Sequence, residues 1–397
     1  TGVLAGSYPA VFLSAFRPTH ALKGHKVRGG SLFRRILVIT QFTVSIVLLI
    51  GTITIYNQLN FIQNKNLGLD KEQVVYLRAL SEGHEAFRDE LLAQNGILSV
   101  GFTDQHPAQV TTSTNEMSWV GSNPQERVLF HVQSVDPGYI PTMGIEVIEG
   151  RNFIKQKSDS STVIINESAL KIMGYDDPIG NTITWSGVDL TIIGVTKDFH
   201  FKSIHQSIEP LILGYDPGGL SRTLVKIDRQ NVKESVLKIK NQWEKLNPSR
   251  EFNYSFLDDE FNSLYQSEEL TAKLFTYFST LAIIISCLGL FGLSSFMVEQ
   301  RTKEISVRKV IGASIGNLYF LVSKEFTKLV LISFFISIPM SLYLMSNWLE
   351  SFAYRIELGI SVFVLSGILA LFIALATISY QSLSAAMTNP IKNLRSE

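Results

Sequence analysis

One short run of the chain brings an acidic side chain and two imidazoles close together, Asp198, His200 and His205. Such groups could bind a metal ion, but their spacing fits no standard ligand motif, and no further His or Cys lies nearby. A hydrogen-bonding role in a loop is the simpler interpretation. We therefore predict no metal site and no cofactor.

Motifs of common enzyme classes are missing as well. Residues 57–273 contain no Gly-x-Ser-x-Gly motif, and the whole sequence lacks the Gly-x4-Gly-Lys-Ser/Thr motif that cradles ATP phosphates. The acids Asp258, Asp259 and Glu260 fit the start of a helix, whose dipole they stabilise. A lone Cys287 excludes a disulfide framework and a Cys-rich zinc site. We predict no catalytic residue and no enzyme activity.

Charged residues are balanced over the whole chain but segregated along it. The 35 Lys and Arg equal the 35 Asp and Glu. Residues 57–273 hold 20 of the bases and 29 of the acids, a net of −9, so the remainder holds 15 bases and 6 acids, a net of +9. The zero net charge of the whole chain excludes a strongly basic nucleic-acid-binding protein, and we predict no nucleic-acid partner.

Four stretches lack charge for long enough to cross a lipid bilayer. They are residues 36–56, 274–298, 329–349 and 358–380. At about 1.5 Å per residue, 21 residues make about 31 Å of helix, which matches the hydrocarbon core. We predict four transmembrane helices, and we expect the apolar residues 1–16 to be the end of a preceding one.

The basic residues near these spans predict their orientation, because Lys and Arg accumulate in cytoplasmic loops. The arm 17–35 has six bases and no acid, and the loop 299–328 has six bases and three acids. The link 350–357 has only one base. We therefore predict that the arm, the loop and the tail 381–397 are cytoplasmic, in a multi-pass protein of the inner (cytoplasmic) cell membrane.

Residues 57–273 then lie outside the cytoplasm and are numerous enough to form a core of their own. Their hydropathy pattern predicts an α+β domain. Strands are predicted at 73–77, 127–135, 145–149, 163–166, 190–196, 223–227 and 252–256, and helices at 85–94, 167–173 and 232–246. At the ends of the domain, 56–66 and 258–273 are predicted to be helices that continue the first and second spans.

The segment that leaves the second span predicts a short amphipathic helix in which acids and bases are interleaved. Its chemistry is carried by Arg301, Lys303, Glu304, Ile305, Arg308, Lys309 and Gly312, the last of which is placed to end the helix. An ordinary positive-inside loop is one interpretation. A docking helix for a cytosolic partner is the other.

Small residues form a stripe on the second span. Ser279, Ala282, Ser286 and Gly289 follow one another at 3-4-3 spacing, which suits close helix packing. The stripe has two interpretations, packing within this chain or a seam against another half or copy of the protein.

The run 303–313, Lys-Glu-Ile-Ser-Val-Arg-Lys-Val-Ile-Gly-Ala, resembles the cytoplasmic loop of MacB/FtsX-type ABC transporter permeases, where Lys-Glu-Ile-x-x-Arg-Lys-x-x-Gly-Ala is typical. The order of one span, a large external domain and three further spans is similar to that family. Runs such as 136–139 and 149–151 are similar to its periplasmic core domain.

This resemblance implies a permease subunit that couples ATP hydrolysis by a separate cytosolic ATPase dimer to movement of a MacB-type periplasmic core domain. Glu304, Ile305, Arg308 and Lys309 would contact the ATPase. An alternative is a membrane sensor or regulator of FtsX type that acts on a cell-envelope partner. The substrate and any periplasmic or outer-membrane partner stay open.

An internal repeat links the two ends of the chain. Ser7, which is followed by Tyr8, lies 11 residues before Pro18, and Ser379, which is followed by Tyr380, lies 11 residues before Pro390. Some permeases of the MacB/FtsX-type family, which this chain resembles, carry two such units in tandem. We therefore expect this chain to be the second half of an eight-span permease.

Overall fold

A computed structural model of the chain describes residues 29–78, 83–123, 125–154, 157–300, 304, 307, 308, 311, 312 and 314–387. Several expectations lie outside these residues. They are the helix end at 1–16, most of the basic arm 17–35, the end of the tail from 388, and the coupling residues Arg301, Lys303, Ile305 and Lys309.

The described part of the chain forms the following helices and strands. The helices are α1 Gly29–Asn64, α2 His84–Leu92, α3 Tyr139–Thr142, α4 Glu167–Met173, α5 Val232–Leu246, α6 Leu257–Ser263, α7 Gln266–Gln300, α8 Ile315–Leu349 and α9 Ile360–Met387. The strands are β1 Val74–Arg78, β2 Ile97–Thr103, β3 Ser113–Thr114, β4 Met117–Trp119, β5 Phe130–Ser134, β6 Val147–Gly150, β7 Thr162–Asn166, β8 Thr182–Trp185, β9 Val188–Thr196, β10 Leu211–Gly214, β11 Arg222–Ile227 and β12 Tyr254–Phe256.

Two compact units make up the fold. The first holds the described residues up to Thr54, those in Leu274–Leu344 and those from Leu358 onward. The second holds Ile55–Lys273 and Met345–Glu357, again as far as they are described.

Helices α1, α7, α8 and α9 contain segments long and apolar enough to cross a membrane, Arg34–Asn64, Gln266–Gln300, Ser323–Leu349 and Ile360–Tyr380. Helices α1, α7 and α8 are each longer than their charge-free stretch. Helix α8 already begins at Ile315, inside the predicted loop 299–328. Absence of charge marks only the apolar part of a helix, whereas the backbone hydrogen bonding continues through charged residues.

Within the first unit, hydroxyl groups join the helices at buried positions. The Ser333 Oγ donates to the Ile39 carbonyl at 3.0 Å, and the Thr43 Oγ1 donates to the Ser333 carbonyl at 3.5 Å. Phe42, Leu290 and Phe326 are buried in one apolar cluster beside them. These bonds satisfy polar groups in a region where water is scarce.

The second unit contains two β-sheets. The smaller has the strand order β12-β1-β11-β2, and its paired strands are antiparallel. The larger has the order β3-β5-β10-β7-β9-β8-β4, and β6 pairs with β9 at its side. Its pairs β5–β10 and β7–β9 are parallel. An antiparallel sheet and a mixed sheet, both with helices packed on them, confirm the predicted α+β class.

Three apolar clusters form the cores of this unit. One lies between the smaller sheet and helices α2 and α5, where Phe87 and Trp243 are buried. A second lies between the larger sheet and α4. The third and largest takes residues from both sheets and from α3 and α6. In β1, Val74 belongs to the third cluster and Val75 to the first, so both faces of that strand are covered.

The helix predicted over 258–273 is interrupted. Helix α6 ends at Ser263 and α7 begins at Gln266. At the break Tyr265 is buried, and its hydroxyl accepts a hydrogen bond from the Ile204 N–H at 3.0 Å. A tertiary contact of this kind is not visible in helical periodicity.

Candidate functional site

Residues 301–314, for which docking to a cytosolic ATPase is predicted above, are called the coupling segment, and the structure describes six of its positions, from 304 to 314. Residues 304, 307 and 308 are helical, and the Arg308 guanidinium contacts the Glu304 carboxylate at 2.8 Å, one helical turn away. Gly312 has φ +97°, the left-handed conformation that favours glycine. The segment therefore has the intramolecular ion pair of a short helix and a glycine that ends it.

Two apolar side chains of this segment are exposed. Val307 is 47% exposed and Ile311 is 79% exposed, and the Ile311 N–H donates to the Val307 carbonyl at 3.0 Å. Sequence reasoning selected Ile305 and missed Val307, although its spacing of four residues from Ile311 places both on one helical face. An exposed apolar pair beside an ion pair is suited to binding a complementary protein groove.

One further motif in this region spells Gly-x-Ser-x-Gly, over residues 312–316. Ser314 directly precedes α8, and its Oγ accepts a hydrogen bond from the Asn317 N–H at 3.3 Å. The serine therefore caps the helix, and the nearest numbered element before it in the described residues is helix α7 rather than a strand.

The small-residue stripe on α7 meets α1 at two of its four positions. The Oγ atoms of Ser286 and Ser45 hydrogen-bond at 2.8 Å. A Cβ added to Gly289 would lie 2.6 Å from the Gln41 Oε1. Ser279 is buried and Ala282 is half-buried. At Ser286 and Gly289 the stripe thus packs within this chain.

Asp198 is part of a reciprocal helix cap. Its carboxylate accepts from the Ser168 N–H at 3.0 Å and from the Ser168 Oγ at 2.7 Å, and its own N–H donates to the Glu167 carboxylate at 2.8 Å. These bonds hold the first turn of α4. Among the described residues, no three His, Cys, Asp or Glu side chains are grouped so that they could hold a metal ion.

The two histidines of the same run contact the link between α8 and α9. His200 is buried, and its ring lies edge-on to Tyr354 with the ring centroids 5.0 Å apart. His205 stacks on Phe352 with centroids 4.2 Å apart. The run therefore docks a distant segment of the chain, which no sequence signal indicated.

The environment of His200 predicts a pH dependence of stability. Burial, and secondarily the positive charge of Lys65, lowers the pKa of His200 from 6.5 to about 4. Below about pH 6.5 the unfolded chain binds a proton here, whereas the folded protein does not until about pH 4. We expect the unfolding midpoint of the protein to fall as the pH is lowered through this window.

The substitution His200→Phe should reduce that fall, because phenylalanine cannot take up the proton. The measurement is thermal unfolding of the detergent-solubilised protein from about pH 6.5 to about pH 4. Identical pH profiles for the two proteins would contradict the assignment.

Two family models match the chain. The model of the MacB-like periplasmic core domain matches residues 37–214, and the model of the FtsX-like permease C-terminal region matches residues 276–390. The chain belongs to the MacB/FtsX-type ABC transporter permeases. The permease is thus a membrane protein with four candidate spans and an extracytoplasmic α+β domain. The coupling segment and the stripe both lie within the FtsX-like match.

Individual relatives agree with this membership. The permease is 27% identical over 195 residues to the macrolide export ATP-binding/permease protein MacB of Neisseria gonorrhoeae, a match covering 45% of this chain and 30% of that protein. It is 22% identical over 222 residues to the uncharacterized ABC transporter permease YknZ of Bacillus subtilis, covering 53% of this chain and 55% of that protein. The permease therefore spans less than two thirds of the length of either relative.

Among solved structures, the periplasmic region of MacB from Actinobacillus actinomycetemcomitans is similar to this permease. The identity is 14%, the superposition covers 51% of this chain and 97% of that one, and the TM-score is 0.37.

Proposed function

We propose that this permease couples ATP hydrolysis by a separate cytosolic ATPase dimer to movement of its extracytoplasmic domain, and that this movement exports or extracts a substrate. The coupling segment around Glu304 and Arg308 is the contact with the ATPase. The protein lies in the inner (cytoplasmic) membrane, where it works with a second half or copy of the permease.

The observation that carries this proposal is the surface of the coupling segment. Val307 and Ile311 are exposed apolar residues next to the Arg308–Glu304 ion pair. Apolar anchors flanked by charges are the composition of protein interfaces rather than of a solvated loop. The bases Arg301, Lys303 and Lys309 add positive charge in the same stretch of sequence.

The continuity of three helices supports a mechanical role. Helices α1, α7 and α8 each contain residues of both compact units, because the unit boundaries fall within them, at 54/55, 273/274 and 344/345. In α1 and α7 a continuous hydrogen-bonded helix resists bending better than a loop does, whereas α8 contains Pro339, which has no backbone N–H to donate. A displacement of one end of a continuous helix therefore also displaces its other end.

Reversing two charges of the coupling segment tests the proposal. We expect the double substitution Arg308→Glu plus Lys309→Glu to reduce co-purification of the cytosolic ATPase by about tenfold or more, because it places like charges where opposite ones bind. The measurement is the amount of ATPase recovered with the tagged permease from detergent extracts, together with its ATPase activity.

A matched control carries the same change of charge elsewhere on α8. Lys324→Glu plus Lys328→Glu reverses two exposed bases outside the segment and should leave ATPase recovery close to that of the wild type. Undiminished recovery with the Arg308 and Lys309 double variant would show the assignment of the coupling segment to be wrong.

A further inference from the structure

The link between α8 and α9 is held by three separate parts of the second unit. Its residues up to Glu357 belong to that unit together with Ile55–Lys273. Phe352 is buried in the largest apolar cluster, and Trp348 and Tyr354 pack against the same cluster. The link is therefore a packed part of the extracytoplasmic domain rather than a free loop.

Gln58 of α1 binds the backbone of the link with both atoms of its amide. Its Nε2 donates to the Tyr354 carbonyl at 2.9 Å, and its Oε1 accepts from the Ile356 N–H at 2.9 Å. Gln58 is fully buried. A buried amide with both groups satisfied by one segment fixes the position of that segment.

His205, in the loop between β9 and β10, also binds the link. Its Nδ1 lies 3.2 Å from the Ser351 carbonyl, and its own carbonyl accepts from the Ala353 N–H at 3.1 Å. Its Nε2 lies 3.0 Å from a carboxylate oxygen of Glu268 on α7. One side chain thus joins the link to the helix that continues into the second span.

Both ring nitrogens of His205 have an oxygen partner within hydrogen-bond distance. Glu268 and the Tyr265 ring face His205 from α7 and the residue before it, and Ser351 and Phe352 face it from the link. Ser203 faces it from its own loop. The ring is therefore held from both sides by polar and aromatic groups.

We propose that Gln58 and His205 form a clasp that keeps the link docked on the extracytoplasmic domain throughout the transport cycle. The outer ends of α8 and α9 then follow the domain together with α1 and α7. His205 is a positioning residue in this device, since it acts through the link. The inference rests on the proposed function for the movement that is transmitted.

Proteolysis at Arg355 measures docking directly. Arg355 is exposed, but trypsin can cut after it only when the surrounding link opens. We expect His205→Ala to raise the cleavage rate at Arg355 about tenfold or more in the detergent-solubilised full chain, with cleavage at exposed Lys240 of α5 unchanged. Equal acceleration at both sites would mean a general loss of stability and would overturn the proposal.

The control is His131→Ala, which removes a comparable pair elsewhere in the same unit. The His131 Nε2 lies 2.8 Å from the Glu209 carboxylate, far along the sequence from the link. Cleavage at Arg355 should stay at the wild-type rate. Gln58→Leu, which keeps the volume but not the two hydrogen bonds, should accelerate cleavage as His205→Ala does.

Addition of the ATPase and ATP tests whether the clasp holds during the cycle. The wild-type link should stay protected during ATP turnover, whereas His205→Ala should recover the same amount of ATPase and show rapid cleavage. Exposure of the wild-type link on ATP addition would overturn the clasp. Failure of any ATPase to co-purify would instead refute the proposed function, and the proteolysis without ATP would still decide whether the clasp exists.

Discussion

Gly138→Ala should destabilise the extracytoplasmic domain by more than about 3 kcal/mol, because the new methyl group has no space. A Cβ at this position would lie 2.0 Å from the Val100 carbonyl oxygen of β2. Neither β2 nor the start of α3 can move away easily. Strand β2 is hydrogen-bonded to β11, and the Gly138 carbonyl accepts a hydrogen bond from the Thr142 N–H of α3. Chemical unfolding of the detergent-solubilised protein, followed by tryptophan fluorescence, measures the loss.

The matched control is Gly214→Ala on β10. A Cβ there would meet no atom within 4 Å, and the backbone is not in the left-handed region. Its stability should stay within about 1 kcal/mol of the wild type. If Gly138→Ala unfolded at the same denaturant concentration as Gly214→Ala, the close approach of α3 and β2 would not be a constraint on folding.

Arg88→Met should cost about 3–5 kcal/mol of unfolding free energy, because it leaves a buried carboxylate without its counter-charge. The Arg88 Nη1 lies 2.6 Å from an Asp136 carboxylate oxygen, and both side chains are buried. The second Asp136 oxygen accepts the Phe102 N–H at 2.7 Å. Burial raises the pKa of Asp136, while the Phe102 N–H and Arg88 oppose that rise by favouring the charged form.

The fluorescence of Trp243 is a suitable local probe, since its ring packs against Phe87 beside Arg88. The control is Lys197→Met, which removes an exposed ion pair with Glu146 whose atoms lie 3.5 Å apart. That variant should lose between about 0 and 1 kcal/mol. Equal losses for the two variants would mean that the buried pair contributes no more than a surface one.

Some elements of the domain could be predicted because their signals are local. The predicted helices at 167–173 and 232–246 coincide with α4 and α5. For α4 the signals are the Asn166 side chain, which accepts the Ala169 N–H, and Gly174 at φ +72°. For α5 they are apolar residues at helical spacing. Capping and periodicity act over one or two turns and are therefore readable without tertiary context.

Other elements were missed because their stability is not local. Strand β10 has only four residues, and it forms by pairing with β5 and β7, which lie far away in the sequence. Strand β2 carries Gly101 and Ser99 within an apolar run, which weakens its sequence signal. Both strands are held by neighbours that only the folded chain provides.

The functional residues also divide into those whose contacts are local in the sequence and those whose contacts are distant. The ion pair of Glu304 with Arg308 and the turn at Gly312 follow from spacings of four residues. Gln58 reads in the sequence as a polar residue near the end of an apolar helix. Its partners Tyr354 and Ile356 are almost 300 positions away, and nothing near Gln58 indicates them.

The docking role of the coupling segment stays a prediction, whereas the four apolar spans, the segregation of charge along the chain and the α+β class follow from the sequence alone. These depend on hydropathy, charge and periodicity, which are properties of neighbouring residues and add up along the chain. The folded chain, and not the sequence, reveals that Arg88 meets Asp136, that α3 packs directly on β2, and that Gln58 and His205 contact the link. Those contacts depend on how distant surfaces pack, and packing selects partners by shape and by satisfaction of buried polar groups.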